Sequence, residues 1–302
     1  MRSLLCWILI LPLFALSLLP LRVHHIISNC LAWFLRCVAK YRNSIVYTNL
    51  SRSFPDISYK DIDTIAKAYY RSMTDILCEA VWSMTRSYEH LRRKEVVTVE
   101  NADIIADMYS KHGTVIVFQS HMGNWEIYGG LTHYCDREMP FDEGRATVAY
   151  TPLHSKTSEI LFRRVRVLHQ KGEHCLIPSN KMLRFVISNK DNPWVYFFNS
   201  DQCPVGKAAY ENTFLNQPTG WVNGGEVIAR KLSAPVIYSC MDRIARGRYV
   251  IRLSLITENA AETTPGWIME QYTSRLEQDI INNKSNWLWS HRRWKNIGVA
   301  TA

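Results

Sequence analysis

His121-Met122-Gly123-Asn124-Trp125-Glu126 places an imidazole and a carboxylate five positions apart, directly after the apolar, β-branched run Thr114-Val115-Ile116-Val117-Phe118-Gln119. Such a run suits a buried parallel strand. If it ends at Ser120 and turns through Gly123-Asn124, His121 stands at the strand's carboxyl end, where open α/β sheets gather their reactive groups. From the first turn of the next helix Glu126 can fold back onto the ring, and a His held by a carboxylate is a general base of fixed tautomer. A satisfied polar pair without chemistry is the other reading of the same residues. No Gly-x-Ser-x-Gly elbow supplies a nucleophile for a hydrolase. A metal site is not expected, because no His-Glu-x-x-His pattern occurs and His133 lies too far along a different turn to be an obvious third ligand.

Three further groups sit at ends of elements. Asp201-Gln202 follows the apolar run 194–199, the same topological place as His121, where a carboxylate orients active-site groups or merely caps a turn. Arg163, Arg164 and Arg166 fall on one expected helix; Arg164 is within reach of a phosphate or a developing oxyanion, or belongs to a solvated basic face. Asn286-Trp287-Leu288-Trp289-Ser290-His291-Arg292-Arg293-Trp294-Lys295 interleaves indoles with cations. That strip suits an amphiphilic, phosphate-rich surface, single-stranded nucleic acid, or a helix end whose indoles pack on the core.

The elements that must position these groups can be read from periodicity. Ser58-Tyr59-Lys60-Asp61 resembles a capping box, and Ile62, Ile65, Ala66, Tyr69, Met73, Ile76, Leu77, Ala80 and Met84 then recur at helical spacing. Further strands are expected at 146–150, 175–178, 194–199, 235–240 and 249–256, with helices over 155–169, 181–189 and 223–232 between them. Alternation of this kind predicts an α/β fold, a mainly parallel sheet wrapped by helices. Thr264-Pro265 opens a last helix running to about 283. With 302 residues, 47% hydrophobic, and no internal repeat or linker, the chain reads as one large domain with helical additions.

Lys and Arg exceed Asp and Glu by 36 − 27 = 9, a surplus that suits phospholipid headgroups, a phosphorylated glycolipid, an acidic carrier protein or nucleic acid. The eight cysteines are scattered without a C-x-x-C and read as reduced, mostly buried thiols. Residues 4–21 carry no charge, which predicts an N-terminal membrane-anchoring helix at the lower limit for a span, interrupted by Pro12 and Pro20. Arg22, Arg36, Lys40 and Arg42 follow it, so the charge bias puts the bulk of the chain on the cytoplasmic side of the membrane. A cleaved signal peptide is the rival reading. Residues 26–39 suit an interfacial helix or an ordinary buried one. The chain thus divides into an anchor and interfacial helix over 1–40 and a catalytic domain over 41–302.

Together these pieces resemble the bacterial lipid A biosynthesis (late) acyltransferases, part of the wider glycerolipid and lysophospholipid acyltransferase group. The resemblance rests on the box from His121 to Glu126, on Asp201-Gln202, and on the Trp-x-Trp-x-His-Arg-Arg-Trp-Lys stretch over 287–295. Tyr41-Arg42, Asn49-Leu50, Ser53-Phe54-Pro55, Gly224-Gly225-Glu226 and Phe214-Leu215-Asn216-Gln217-Pro218-Thr219 are also similar to the family, the last in a wording like its Bacteroidota branch. Departures are Tyr150-Thr151-Pro152, where many relatives have Tyr-Arg-Pro, and Cys203, where many have a second acid.

The resemblance implies transfer of a fatty acyl chain from an acyl carrier protein thioester, or coenzyme A, to a hydroxyl of a lipid A precursor, with no cofactor. His121 would be the base, Glu126 would hold its ring, and Arg164 or a backbone N–H would meet the oxyanion, with Asp201 completing the catalytic set. Asn124, Trp125, Arg166, Gln202, His291, Arg292, Arg293 and Lys295 would bind the phosphorylated glycolipid acceptor and membrane lipids. Alternatives are a lysophospholipid or acylated amino-acid acceptor, and a non-catalytic protein that binds anionic lipid. Nucleic acid is not an expected partner, because it leaves the apolar amino terminus unexplained.

Overall fold

A computed structural model describes residues 2–153, 155, 159–160, 163, 166 and 174–295. Five helices come first: α1 (Arg2–Ser17), α2 (Leu21–Trp33), α3 (Asn43–Ser53), α4 (Tyr59–Ser83) and α5 (Tyr88–Arg93). Then come β1 (Val97–Glu100), α6 (Ala102–His112), β2 (Val115–Gln119) and, after a 3-10 turn at Trp125–Gly130, the short α7 (Leu131–Tyr134). The rest runs β3 (Ala146–Tyr150), β4 (Leu176–Pro178), α8 (Ser179–Ser188), β5 (Val195–Asn199), β6 (Tyr210–Phe214), β7 (Gln217–Trp221), α9 (Gly224–Lys231), β8 (Val236–Ala245), β9 (Arg248–Thr257) and α10 (Trp267–Asn282). Most of the helix expected over 155–169 lies outside the described residues.

Seven strands form one sheet in the order β1-β9-β8-β2-β5-β3-β4, parallel throughout except between β8 and β9. After β2 the chain builds the β3–β4 edge, returns to insert β5 beside β2, and only then crosses to lay β8 on the other flank. The carboxyl ends of β2 and β5 therefore border the place where the winding reverses, which is where such sheets leave a crevice. β2 is apolar at nearly every position because helices cover both faces: Ile116 and Phe118 enter one core cluster, Val115 and Val117 the other. Alternation of strand and helix forecast this sheet, but not β1, whose Val-Thr-Val-Glu alternation is only four residues long, nor the separate β6–β7 hairpin. That hairpin turns through Leu215 and Asn216, both with positive φ (48° and 61°), the backbone a two-residue turn requires.

Helix α4 starts as its sequence suggests, with the Ser58 hydroxyl accepting the Asp61 N–H at 3.2 Å. Its buried face is wider than the apolar stripe. Leu77 faces outward, whereas Thr74, Asp75, Cys78 and Glu79 are buried, because α2 lies along that side. The polar groups are matched there: Ser28 of α2 donates to Asp75 at 2.5 Å, and Asp75 also receives Arg243 from the end of β8 and Arg246 from the β8–β9 turn.

The membrane-anchoring helix expected over 4–21 takes a different form. Helix α1 has 16 residues, about 24 Å at 1.5 Å per residue, against a hydrocarbon core of about 30 Å. Ser17 ends it, buried, with its hydroxyl folded back on the Phe14 carbonyl and its own carbonyl accepting from Arg86; Pro20 then starts α2. Among the described residues no helix is long and apolar enough to cross a membrane. The apolar residues instead lie on two short helices. Leu11, Phe14 and Leu18 of the first segment and Ile26, Ile27 and Trp33 of α2 point outward.

Asp75 is wholly buried and satisfies two guanidinium groups that have little access to water. Asp75→Ala leaves both cations without a counter-charge, so the midpoint of urea unfolding should fall by the equivalent of about 3–5 kcal/mol. Limited proteolysis should then open the chain first between α2 and α3.

Candidate active site

The register of two neighbouring strands sets the site. Gln119 of β2 pairs with Asn199 of β5, so the two parallel strands end level and the second residue beyond each, His121 and Asp201, stand side by side. Asp201 Oδ1 lies 2.7 Å from His121 Nδ1, and Oδ2 accepts the His121 backbone N–H at 2.8 Å. Trp287 Nε1 donates to the same Oδ2 at 2.9 Å. Asp201 accepts only, so Nδ1 carries the proton and Nε2 keeps its lone pair, 3.3 Å from the Gln202 amide nitrogen. Burial opposes a charge on His121, but the Asp201 charge and hydrogen bond, aided by Glu126, outweigh it and raise the ring above its ordinary 6.5. Burial likewise pushes Asp201 up, yet His121 and Trp287 hold it down at about 2.

Here the expected partner of the histidine changes. Glu126 does not hold the His121 ring; its carboxylate takes a bidentate pair of bonds from Arg166, at 2.7 and 2.9 Å, and one from Trp125 Nε1 at 3.1 Å. The reason is geometric: residues 125–130 form a 3-10 turn that carries Glu126 along the loop, while the neighbouring strand delivers Asp201 directly beneath the ring. Trp125 stands edge-on to His121 with centroids 5.4 Å apart. Arg166, whose charge acts against that of His121, thereby joins the site, whereas Arg164 lies outside the described residues.

The loop between His121 and Glu126 is pinned on several sides. Gly123 adopts φ +61°, and a Cβ there would come within 2.6 Å of the Met241 carbonyl, so only glycine fits. Its N–H donates to Asn286 O, and Met122 forms a β-bridge with Trp287. Asn124, fully buried, donates to Glu79 of α4 at 2.9 Å.

The indole and cation strip is thus mostly a foundation rather than a surface. Trp287, Trp289 and Trp294 are buried and meet edge to face, with Trp287 at 4.9 Å from Trp289 and 6.0 Å from Trp294. Asn49 donates to the carbonyls of Trp289 and His291, Arg42 to that of Ser290, and Trp294 Nε1 to Thr219. Arg293, read as a ligand for substrate phosphate, is 2% exposed with its guanidinium 4.2 Å over the Trp221 ring. Burial lowers its pKa to about 10. His291 accepts the Cys203 N–H at 3.0 Å and is pushed by burial down to about 4, so it is neutral. Of the four groups expected to bind substrate from this strip, only Arg292 and Lys295 are exposed. The passages Tyr41-Arg42, Asn49, Ser53 and 214–219 converge on the same foundation, since Ser53 accepts from both Asn216 and Gln217. Glu226 lies apart, capping the start of α10 through the N–H groups of Gly266 and Ile268.

Sequence reading missed Trp287 as a donor to Asp201, and missed Glu79 altogether. The signal for Glu79 was a pair of carboxylates four residues apart, Asp75 and Glu79, adjoining the apolar face of a long helix.

On the sheet face shared by Val115, Val117 and Gln119 lies a mainly apolar cavity of about 40 Å³, bounded by Gln119, Tyr128, Leu131, Phe141, Val148 and Phe197. Gln119, which lines it, is the last residue of β2 and stands two positions before His121. A strand-end imidazole with an orienting carboxylate, on a strand whose last residue lines an apolar cavity, suits proton abstraction from a hydroxyl.

Comparison with curated proteins gives no match. The sequence profile of the bacterial lipid A biosynthesis acyltransferases matches residues 1–296. That span takes in every residue of the site, and the chain belongs to this family.

Proposed function

We propose that the chain transfers a fatty acyl group from a thioester, carried by an acyl carrier protein or coenzyme A, to a hydroxyl of a phosphorylated lipid A precursor. In this reading His121–Asp201 is the base, with no acyl-enzyme. The observation that carries it is the His121 ring with Nδ1 tied to Asp201 at 2.7 Å and Nε2 left as acceptor. Nε2 takes the acceptor's proton as its oxygen bonds to the thioester carbonyl carbon. The tetrahedral adduct collapses with cleavage of the C–S bond, and the departing thiolate takes the proton from the imidazolium. Asp201 holds the tautomer and offsets the imidazolium charge. Arg166, oriented by Glu126, meets the developing oxyanion, and the acyl chain enters the cavity beneath Gln119 and Tyr128. These roles replace a direct His121–Glu126 dyad.

Placement at the cytoplasmic face of the inner membrane forms part of the proposal. Ile26, Ile27, Trp33, Phe34 and Val38 are exposed together on and just after α2, bracketed by the exposed cations Arg22 and Lys40. Apolar groups flanked by cations suit a helix lying in the surface of an anionic bilayer, where a lipid acceptor and a water-soluble donor can both be reached.

The decisive test is mass spectrometry of lipid A from cells with and without the protein; an unchanged acyl pattern removes the proposal. His121→Ala should lower transfer by on the order of 10³-fold without unfolding the protein. Since the base must be neutral and its pKa is raised, kcat/KM should climb with pH through an apparent pKa above 6.5. Asp201→Asn removes the charge that raises it, so that limb should move to lower pH while the plateau falls by about 10³–10⁴-fold. Glu126→Gln frees Arg166 and should cost about 10²–10³-fold in kcat, with the acid limb moved far less than by Asp201→Asn.

A further inference from the structure

Helix α2 has two unlike faces. Outward it shows Ile26 and Trp33, 62% and 63% exposed; inward it presents His24, His25 and Ser28 to α4. His25 Nε2 lies 3.0 Å from Glu79 Oε1. The Glu79 side chain is only 4% exposed, and its other oxygen accepts from Asn124 Nδ2 at 2.9 Å and from Tyr249 OH at 2.7 Å. Asn124 lies midway in the loop that holds His121 and Glu126. The chain His25–Glu79–Asn124 thus joins the apolar helix to the loop through one carboxylate and three donors.

Two features make that carboxylate consequential. A buried carboxylate that loses a donor must move to find another or bear the desolvation cost, so Glu79 responds to the position of His25. The loop has little slack to absorb such movement: Gly123 is wedged against Met241, and Asn286 and Trp287 bind its other edge. A shift of α2 therefore passes to Asn124, and from there to residues on both sides, rather than dissipating in the packing.

We propose that Glu79 is a positioning residue for the His121 loop and that, through His25, it makes acyl transfer respond to the seating of α2 on a lipid surface. The proposal rests on the acyltransferase and membrane-surface readings given above. In solution the inner face of α2 is held by α1, α4 and the β8–β9 turn; on a bilayer its outer face is held as well, which restrains His25 and with it Asn124.

The test uses the full chain, an acyl carrier protein thioester, and a phosphorylated lipid A precursor. Rates are measured in detergent micelles and in vesicles of phosphatidylethanolamine and phosphatidylglycerol, with vesicle sedimentation in parallel. The wild type should turn over about tenfold faster on vesicles than in micelles. His25→Ala should sediment with vesicles yet lose that gain, its rate on vesicles falling within about twofold of its own rate in micelles. Glu79→Gln, which cannot accept from both Asn124 and Tyr249 on a charged oxygen, should lose about 100-fold in kcat in both media with KM within about twofold. Absence of wild-type turnover, or of wild-type sedimentation, overturns the readings beneath the proposal and the proposal with them. Turnover and sedimentation with the vesicle gain retained in His25→Ala overturn the coupling alone. A folded Glu79→Gln with unchanged kcat overturns the positioning role; should that variant fail to fold, His25→Ala decides.

Discussion

Asp201 accepts hydrogen bonds from the His121 amide, the His121 ring and the Trp287 indole in a place almost closed to water. A carboxylate so placed stays ionised only because those donors replace its hydration. The donors come from two distant parts of the fold. The ring and amide depend on β2 and β5 ending level, and the indole depends on the last described stretch of chain closing under the loop. Loss of any one leaves a charge in a poor solvent. The site therefore owes its shape to the need to keep one buried anion satisfied, and the position of the proposed base follows from it.

The surroundings temper the effect of that anion. Glu126 raises the affinity of His121 for its proton, and Arg166, clasped by Glu126, lowers it. By forming a pair with each other these two partly cancel at the ring, so against the cost of burial Asp201 remains the dominant charge. Arg293 is a cation held against the face of Trp221, with no ion pair among the described residues and with the Asp201 charge in its favour. A neutral His291 sits alongside, its Nε2 occupied by the Cys203 amide. One acid above and one cation below, linked through the 201–203 turn, keep the buried charge of the site near balance.

What could be read from the chain before folding follows from how far each interaction reaches. The strand before His121, the α/β alternation and the start of α4 at Ser58 are local patterns of period or cap, and they were legible. Asp201 was placed correctly at a strand end, but its pairing with His121 depends on the Gln119–Asn199 register, which only the assembled sheet fixes. Glu126 lay near enough in sequence to seem the natural partner, and a turn of 3-10 helix took it to Arg166 instead. The strip over 286–295 has the composition of an amphiphilic surface. It is interior because Asn49, Arg42, Tyr69 and Thr219, all distant in sequence, supply partners for its backbone and indoles. Composition shows that indoles need apolar contact and cations need oxygen; it does not show whether protein or lipid provides them.

The amino-terminal helices turn on the same ambiguity. An uncharged stretch over 4–21 meets the hydropathy of a span, yet it breaks between Ser17, which ends α1, and Pro20, which starts α2, and both pieces are tied to the rest of the fold. For α2 that side is not apolar: it carries Ser28 and His25 to Asp75 and Glu79, both buried acids of α4. A helix meant only to dip into lipid needs no polar inner face. Those ties cost desolvation and fix the helix in one orientation about its axis, which sets which residues point outward. Orientation about the axis thus links the outer apolar surface to the inner carboxylates, and through Glu79 to Asn124. The outer apolar surface of α2 and the loop that carries His121 are thereby joined by one polar path.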